Sequence, residues 1–128
     1  MVDIDYIMEL FDWNKTSEDQ LLGIKLARDI KCKNVFFRPG NPYGERVWEN
    51  CAKLLSEKSD DELASYLPEL LEWLQDMECP GALCIFNRMK RYKKNNYFYF
   101  VLNDYIKYAK ALKNTAWESN LREISSNQ

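Results

Sequence analysis

The chain has 128 residues, 46% of them hydrophobic and 30% charged, which is the length and composition of one ordinary globular domain with a core of its own. Its net charge is only −2 and it contains no histidine, so the commonest acid–base residue and the usual histidine-containing zinc sites are excluded. No apolar run reaches the roughly 18–20 residues of a membrane span, and the acidic start from Met1 to Asp5 is not a signal peptide, so a single cytoplasmic domain over residues 1–128 with no membrane partner is expected.

Helical periodicity runs through the chain. A first short helix is predicted from Ile4 to Phe11. Thr16 or Ser17 then reads as an N-cap, with Glu18 and Asp19 in the first turn, where the helix dipole favours acids. The helix that follows is expected to bury Leu22, Leu26 and Ile30. Residues Lys31 to Gly44 hold two prolines and two glycines, an irregular stretch in which Val35-Phe36-Phe37 tucks onto the core. Trp48, Cys51, Ala52 and Leu55 recur at the spacing of one helical stripe. Ser59-Asp60-Asp61-Glu62 is a capping box. Pro68 fits the first turn of a new segment, and Leu70, Trp73, Leu74 and Met77 continue as a stripe. After Pro80, Ala82, Ile85, Phe86 and Met89 repeat the pattern.

Asn95-Asn96 marks a turn. Tyr97 to Leu102 is rich in strand-favouring aromatics, yet Phe98, Val101, Leu102, Tyr105, Ala109 and Leu112 keep helical phase, which predicts a helix. Asn114 or Thr115 caps a last helix with Trp117, Leu121 and Ile124 inward, and the residues from Ser125 to Gln128 should fray. Short amphipathic helices joined by tight turns predict an all-α fold. Antiparallel helix pairs would stack as a HEAT-like or irregular helical array, since no pair alone can bury its apolar stripe.

The cysteines, Cys32, Cys51, Cys79 and Cys84, include no CxxC pair. In a cytoplasmic chain they are expected to be reduced, buried thiols, with no metal and no cofactor bound. Charge is spread unevenly: up to Pro80 there are 17 acidic and 9 basic residues, and from Gly81 onward 3 acidic and 9 basic.

The stretch from Val47 to Tyr92 reads VWENCAKLL, SDDELASYLPELLEWLQDM and CPGALCIFNRM. Its centre, Leu70-Leu71-Glu72-Trp73-Leu74-Gln75-Asp76-Met77-Glu78-Cys79-Pro80-Gly81-Ala82, resembles the motif of the bacterial domain-of-unknown-function family DUF5071. The strong likeness covers about a third of the chain, and Thr115-Ala116-Trp117-Glu118 is loosely similar to the family's ending. Glu78-Cys79 stands where the family motif has Asn-Trp, a departure that bears on any function tied to that tryptophan. The resemblance implies a small helical protein with HEAT-like pairing and a role as an immunity or accessory protein of a bacterial toxin system.

Two surfaces follow from the residues. Gln75-Asp76 before Pro80-Gly81 suits hydrogen bonding to free backbone N–H groups at a tight turn. Glu69, Glu72 and Asp76 fall on one helical face, more simply a solvated face than a cation site. With Asp60, Asp61 and Glu62 they are candidates for contact with a protein partner, a basic toxin domain, through electrostatic complementarity. The alternative is nucleic-acid binding by the basic run Arg88, Lys90, Arg91, Lys93 and Lys94 with Tyr97 and the following aromatics. Trp48, Trp73 and Trp117 are expected in the core and Trp13 partly outside it. No catalytic residue is expected, because no hydrolase elbow, P-loop or dinucleotide-binding glycine pattern is present. The expected class is therefore a non-enzymatic binding module.

Overall fold

The computed structural model describes residues 3–126. Among them there is no strand, and the helices are α1 Ile4–Phe11, α2 Ser17–Ala27, α3 Trp48–Ser56, α4 Asp60–Leu63, α5 Leu67–Glu72, α6 Ala82–Lys90, α7 Asn96–Ala111 and α8 Thr115–Ser126. Short 3-10 turns occupy Lys33–Phe36, Gly44–Val47, Ala64–Tyr66 and Trp73–Gln75. The all-α expectation holds, and the aromatic run from Tyr97 lies in α7. Ser125 and Ser126 still belong to α8, while residues 127 and 128, where fraying was also expected, lie outside the described residues. The helices group into two compact units, residues 1–57 and 58–128.

Unit 1 is built from α1, α2 and α3. Asp3 caps α1, its side chain accepting from the Asp5 N–H, and Thr16 caps α2 by accepting from the Asp19 N–H. Ile7, Met8, Leu10 and Phe11 of α1 are buried. The inward face of α2 is not the expected one. Gly23, Ile24 and Ala27 are buried, whereas Leu22 is exposed and Leu26 and Ile30 are only partly covered. The reason is Gly23, where an added Cβ would lie 2.9 Å from Phe11 Cδ1 and 3.0 Å from Leu10 Cβ. The missing side chain lets α2 approach α1 closely, and this rotates the leucines outward. Phe36 alone of the Val35-Phe36-Phe37 run is buried, 6.1 Å from Phe11 between ring centroids.

Asn50 is a buried polar side chain that the apolar pattern hides. Its Nδ2 donates to the Phe11 carbonyl at 2.8 Å and to Gln20 Oε1 at 2.9 Å, and Gln20 Nε2 donates to the Lys15 carbonyl at 2.7 Å. The relay satisfies the carbonyl end of α1, which has no partner within its own helix.

In unit 2, Ser59 and Glu62 form the expected capping box at the start of α4. Pro68 lies in the first turn of α5. The stripe that begins there does not continue as one helix. The chain tightens into the Trp73–Gln75 turn and Asp76 is extended, with φ −135° and ψ 106°. The carbonyls left open are taken by side chains from α8. Trp117 Nε1 donates to Leu71 O at 3.0 Å, and Asn120 Nδ2 donates to Leu74 O at 3.0 Å. Trp73 Nε1 donates to Pro80 O at 3.1 Å across the following turn, where Gly81 takes a left-handed φ of 85°. The predicted stripes on α6 and α8 are buried, as are Phe98, Val101, Leu102 and Ala109 on α7, but Tyr105 is only partly covered and Leu112 is exposed at the end of that helix. Trp73 and Trp117 are in the core, Trp48 is partly covered, and Trp13 is half-exposed.

Gly23→Ala should destabilise the fold by about 1–3 kcal/mol through overpacking against Phe11 and Leu10. Urea denaturation should show a lower midpoint with an unchanged slope. An unchanged midpoint would mean that the close approach of α1 and α2 is not what sets the face of α2.

Candidate functional site

The twelve sequence-predicted site residues all lie in unit 2, and the structure divides them by what they touch. Arg88 lies on α6 at i+3 from Ile85, inside the apolar stripe, and is only 6% exposed. Its guanidinium donates to the Lys58 carbonyl at 2.9 Å and forms an ion pair with Asp60. The other Asp60 oxygen accepts from the Lys93 N–H at 2.9 Å, and the Tyr92 hydroxyl donates to the Asp60 carbonyl at 3.1 Å. One member of the acidic set and one of the basic set therefore neutralise each other within the fold.

Lys94 is committed as well. Its Nζ donates to the carbonyls of Met89, Lys90 and Tyr92 at 3.0, 3.0 and 2.8 Å. This closes the C-terminal end of α6, where cations are favoured. Of the basic set, Lys90 lies over the Phe86 ring, and Arg91, Lys93 and Tyr97 face solvent. Phe100, one turn further along α7, is 73% exposed.

Burial raises the Asp60 carboxyl, but the hydrogen bonds from Arg88 and Lys93 and the charges of Arg88 and Lys94 outweigh it and hold the group below its ordinary value.

The remaining acids do not form one surface. Glu62 belongs to the capping box. Asp76 accepts from the Glu78 N–H at 2.9 Å, so its part in the tight turn is the one its sequence position suggests. The break in the helix after Glu72 also removes it from the face that Glu69 and Glu72 would share with it. Asp61 is exposed and acts on the Tyr92 hydroxyl, together with Asp60. Glu72 instead accepts from the Tyr105 hydroxyl, on which Glu69 and Asp104 also act electrostatically.

Here α5 and α7 leave a cleft of about 560 Å³ lined by Glu72, Asp104, Tyr105, Lys107 and Tyr108. The Tyr105 hydroxyl donates to Glu72 Oε2 at 3.0 Å. Burial first, then Glu72 and the neighbouring acids, push the Tyr105 phenol up to about 12. Tyr105, Tyr108 and Trp117 pack edge to face, with ring centroids 6.2, 5.9 and 5.8 Å apart. Asp104, Tyr105 and Tyr108 were not singled out as site residues. Tyr108 does lie at i+4 from Asp104, the spacing that places two side chains on one helical face.

Residues 48–101 match the family model described as a domain of unknown function, DUF5071. No curated protein and no solved structure matches the chain. The DUF5071 match takes in Glu69, Glu72 and the Asp60–Arg88 network, and it stops before Asp104, Tyr105, Tyr108 and Trp117.

The cysteines form no disulfide, and Cys51 alone is buried, which pushes its thiol up. Cys79 and Cys84 are partly covered and Cys32 is exposed, so the expected burial of all four is corrected. Among the described residues no three acids or thiols converge as metal ligands.

Two expectations follow from the protonation states. A carboxylate held below its unfolded value, near 3.9, stabilises the fold above that value and loses the contribution as pH falls through the folded one. Asp60→Asn should therefore flatten the acid limb of the stability profile. Arg88→Met should cost about 2–4 kcal/mol at neutral pH by leaving Asp60 and the Lys58 carbonyl without their donor. Denaturation at neutral pH and near pH ~3 would check both, and an unchanged acid limb in Asp60→Asn would refute the assignment.

A phenol raised above its unfolded value, near 10, has the opposite sign. Its contribution is complete below about 10 and is lost as pH rises through about 12. Tyr92 is raised as well, by burial and by Asp60, so absorbance titration should show late tyrosine ionisation of which the Tyr105 part alone moves to lower pH in Glu72→Gln. Its failure to move would separate Glu72 from the shift.

Proposed function

We propose that the chain is a non-enzymatic protein-binding module of the bacterial cytoplasm, built as a short HEAT-like helical array. It would receive a basic partner, of the kind met by an immunity protein that neutralises a toxin domain. The observation that carries this reading is the group of Glu69, Glu72 and Asp104 beside the ring-lined cleft. Among the described residues, none of these carboxylates is in an ion pair, unlike Asp60. Glu69 and Asp104 are exposed and Glu72 is partly covered, and exposed carboxylates steer a basic partner and fix its register. The toxin-accessory part of this reading is the expectation attached to the resemblance to DUF5071, a domain of unknown function.

Exposed Arg91, Lys93, Tyr97 and Phe100 favour a second reading, single-stranded nucleic acid held by phosphate contacts and stacking. It rests on a smaller basic set than the sequence suggested, since Arg88 and Lys94 are occupied within the fold.

Binding of a nona-arginine peptide and of single-stranded DNA, followed by fluorescence anisotropy at low and high salt, distinguishes the readings. The peptide should bind at low salt and lose about tenfold or more in affinity in Glu69→Lys/Asp104→Lys. The control Asp29→Lys/Glu45→Lys, which makes the same charge change on unit 1, should lose far less. Equal losses in the two variants would defeat the proposed surface. DNA binding that is abolished by Arg91→Glu/Lys93→Glu, without peptide binding, would establish the second reading in its place.

A further inference from the structure

We infer that the cleft between α5 and α7 is a socket for a single arginine side chain of the partner, an inference that rests on the protein-binding reading. Charge is the first reason. Two carboxylates, Glu72 and Asp104, line the cleft against one cation, Lys107, and Glu69 adds a further negative charge felt at the Tyr105 hydroxyl. The second reason is independent of charge. Tyr105, Tyr108 and Trp117 hold one another edge to face, which fixes Tyr108 while leaving it 53% exposed. An exposed ring that is already immobile loses little freedom when a ligand covers it.

The combination selects arginine over lysine. A guanidinium is planar and weakly hydrated, stacks on a phenol ring, and offers several N–H donors in one plane. The carboxylates that share the cleft with the ring, Glu72 and Asp104, can then accept from the guanidinium edge while its face lies on the ring. The Tyr105 hydroxyl bond holds the Glu72 carboxylate in place and leaves its other oxygen to accept from the ligand. A lysine ammonium would meet the same charges but has no plane to lay against Tyr108. The volume, about 560 Å³, is within the ordinary range of ligand clefts and has room for the methylene stem beside the ring. Lys107 opposes a cationic guest and should weaken binding in the native chain.

The test uses N-acetyl-arginine-amide and N-acetyl-lysine-amide as probes, titrated into the full chain and followed by NMR. The arginine probe should shift the ring signals of Tyr105 and Tyr108 and the indole of Trp117. The lysine probe should bind more weakly by about threefold or more. Tyr108→Ala and Asp104→Asn should each weaken the arginine probe several-fold, with folding checked by the Trp117 indole signal. Lys107→Ala should tighten it. Equal binding of the two probes, or arginine binding untouched by Tyr108→Ala, would overturn the socket. So would shifts confined to other parts of the chain. The broader reading fails separately: if the nona-arginine peptide ignores the Glu69→Lys/Asp104→Lys change, the acidic surface is wrong. If that change matters while Tyr108→Ala and the choice of probe do not, only the socket is wrong.

Discussion

Unit 2 is organised around the guanidinium of Arg88. A buried cation is costly unless its donors and its charge are both met, and here the Lys58 carbonyl and the Asp60 carboxylate meet them. The same carboxylate then takes the Lys93 N–H just beyond α6, and the Asp60 carbonyl takes the Tyr92 hydroxyl. One side chain thus fixes where α4 begins relative to where α6 ends. The turn into α7 is held from the same point, because Lys94 folds back onto the carbonyls of Met89, Lys90 and Tyr92. Arginine suits this place better than lysine would, since its fork can reach a carbonyl and a carboxylate together.

That arrangement changes the meaning of the chain's charge pattern. Acids dominate up to Pro80 and bases after it, but the boundary between the compact units lies at Glu57. Unit 2 therefore contains both the acid-rich and the base-rich stretches, with 10 acidic and 10 basic residues. Asymmetry along a sequence becomes asymmetry of a surface only when the fold keeps the two ends apart, and here it brings them together at Asp60 and Arg88. What remains for a partner is local: the carboxylates by Tyr105, and the basic corner with Arg91 and Lys93.

Most helices were legible because apolar spacing and caps agree with each other. The N-caps at Thr16 and Ser59, the proline in the first turn of α5, and the stripe on α6 are all local signals. The failures came where a side chain's partner is distant in sequence. Gly23 reads as a weak helix residue, yet its contact with Phe11 decides which face of α2 turns inward. Arg88 lies at i+3 from Ile85 of the apolar stripe, the available sign that it is buried, whereas Asn50 lies off the Trp48-Cys51-Ala52-Leu55 stripe and carried no such sign. Neither position could say which backbone groups they would serve. The cleft was half legible for the same reason. Glu69 and Glu72 stood out in a run of acids, while Asp104, Tyr105 and Tyr108 looked like ordinary members of a long amphipathic helix. Only the packing of α7 on α5 brings the two sets together.

The side chains of α8 that close the broken helix after α5 bear on what a fragment of this protein could be. The segment that matches DUF5071 begins at α3 in one compact unit and stops within α7 in the other. A peptide trimmed to those bounds would lack Trp117 and Asn120, and the carbonyls of Leu71 and Leu74 would have no donor from α8. It would also lack the aromatic floor under the cleft. The stretch most similar to other proteins is thus not an autonomous piece. Its shape is borrowed from a C-terminal helix outside the match, and an excised version would present a different surface from the intact chain.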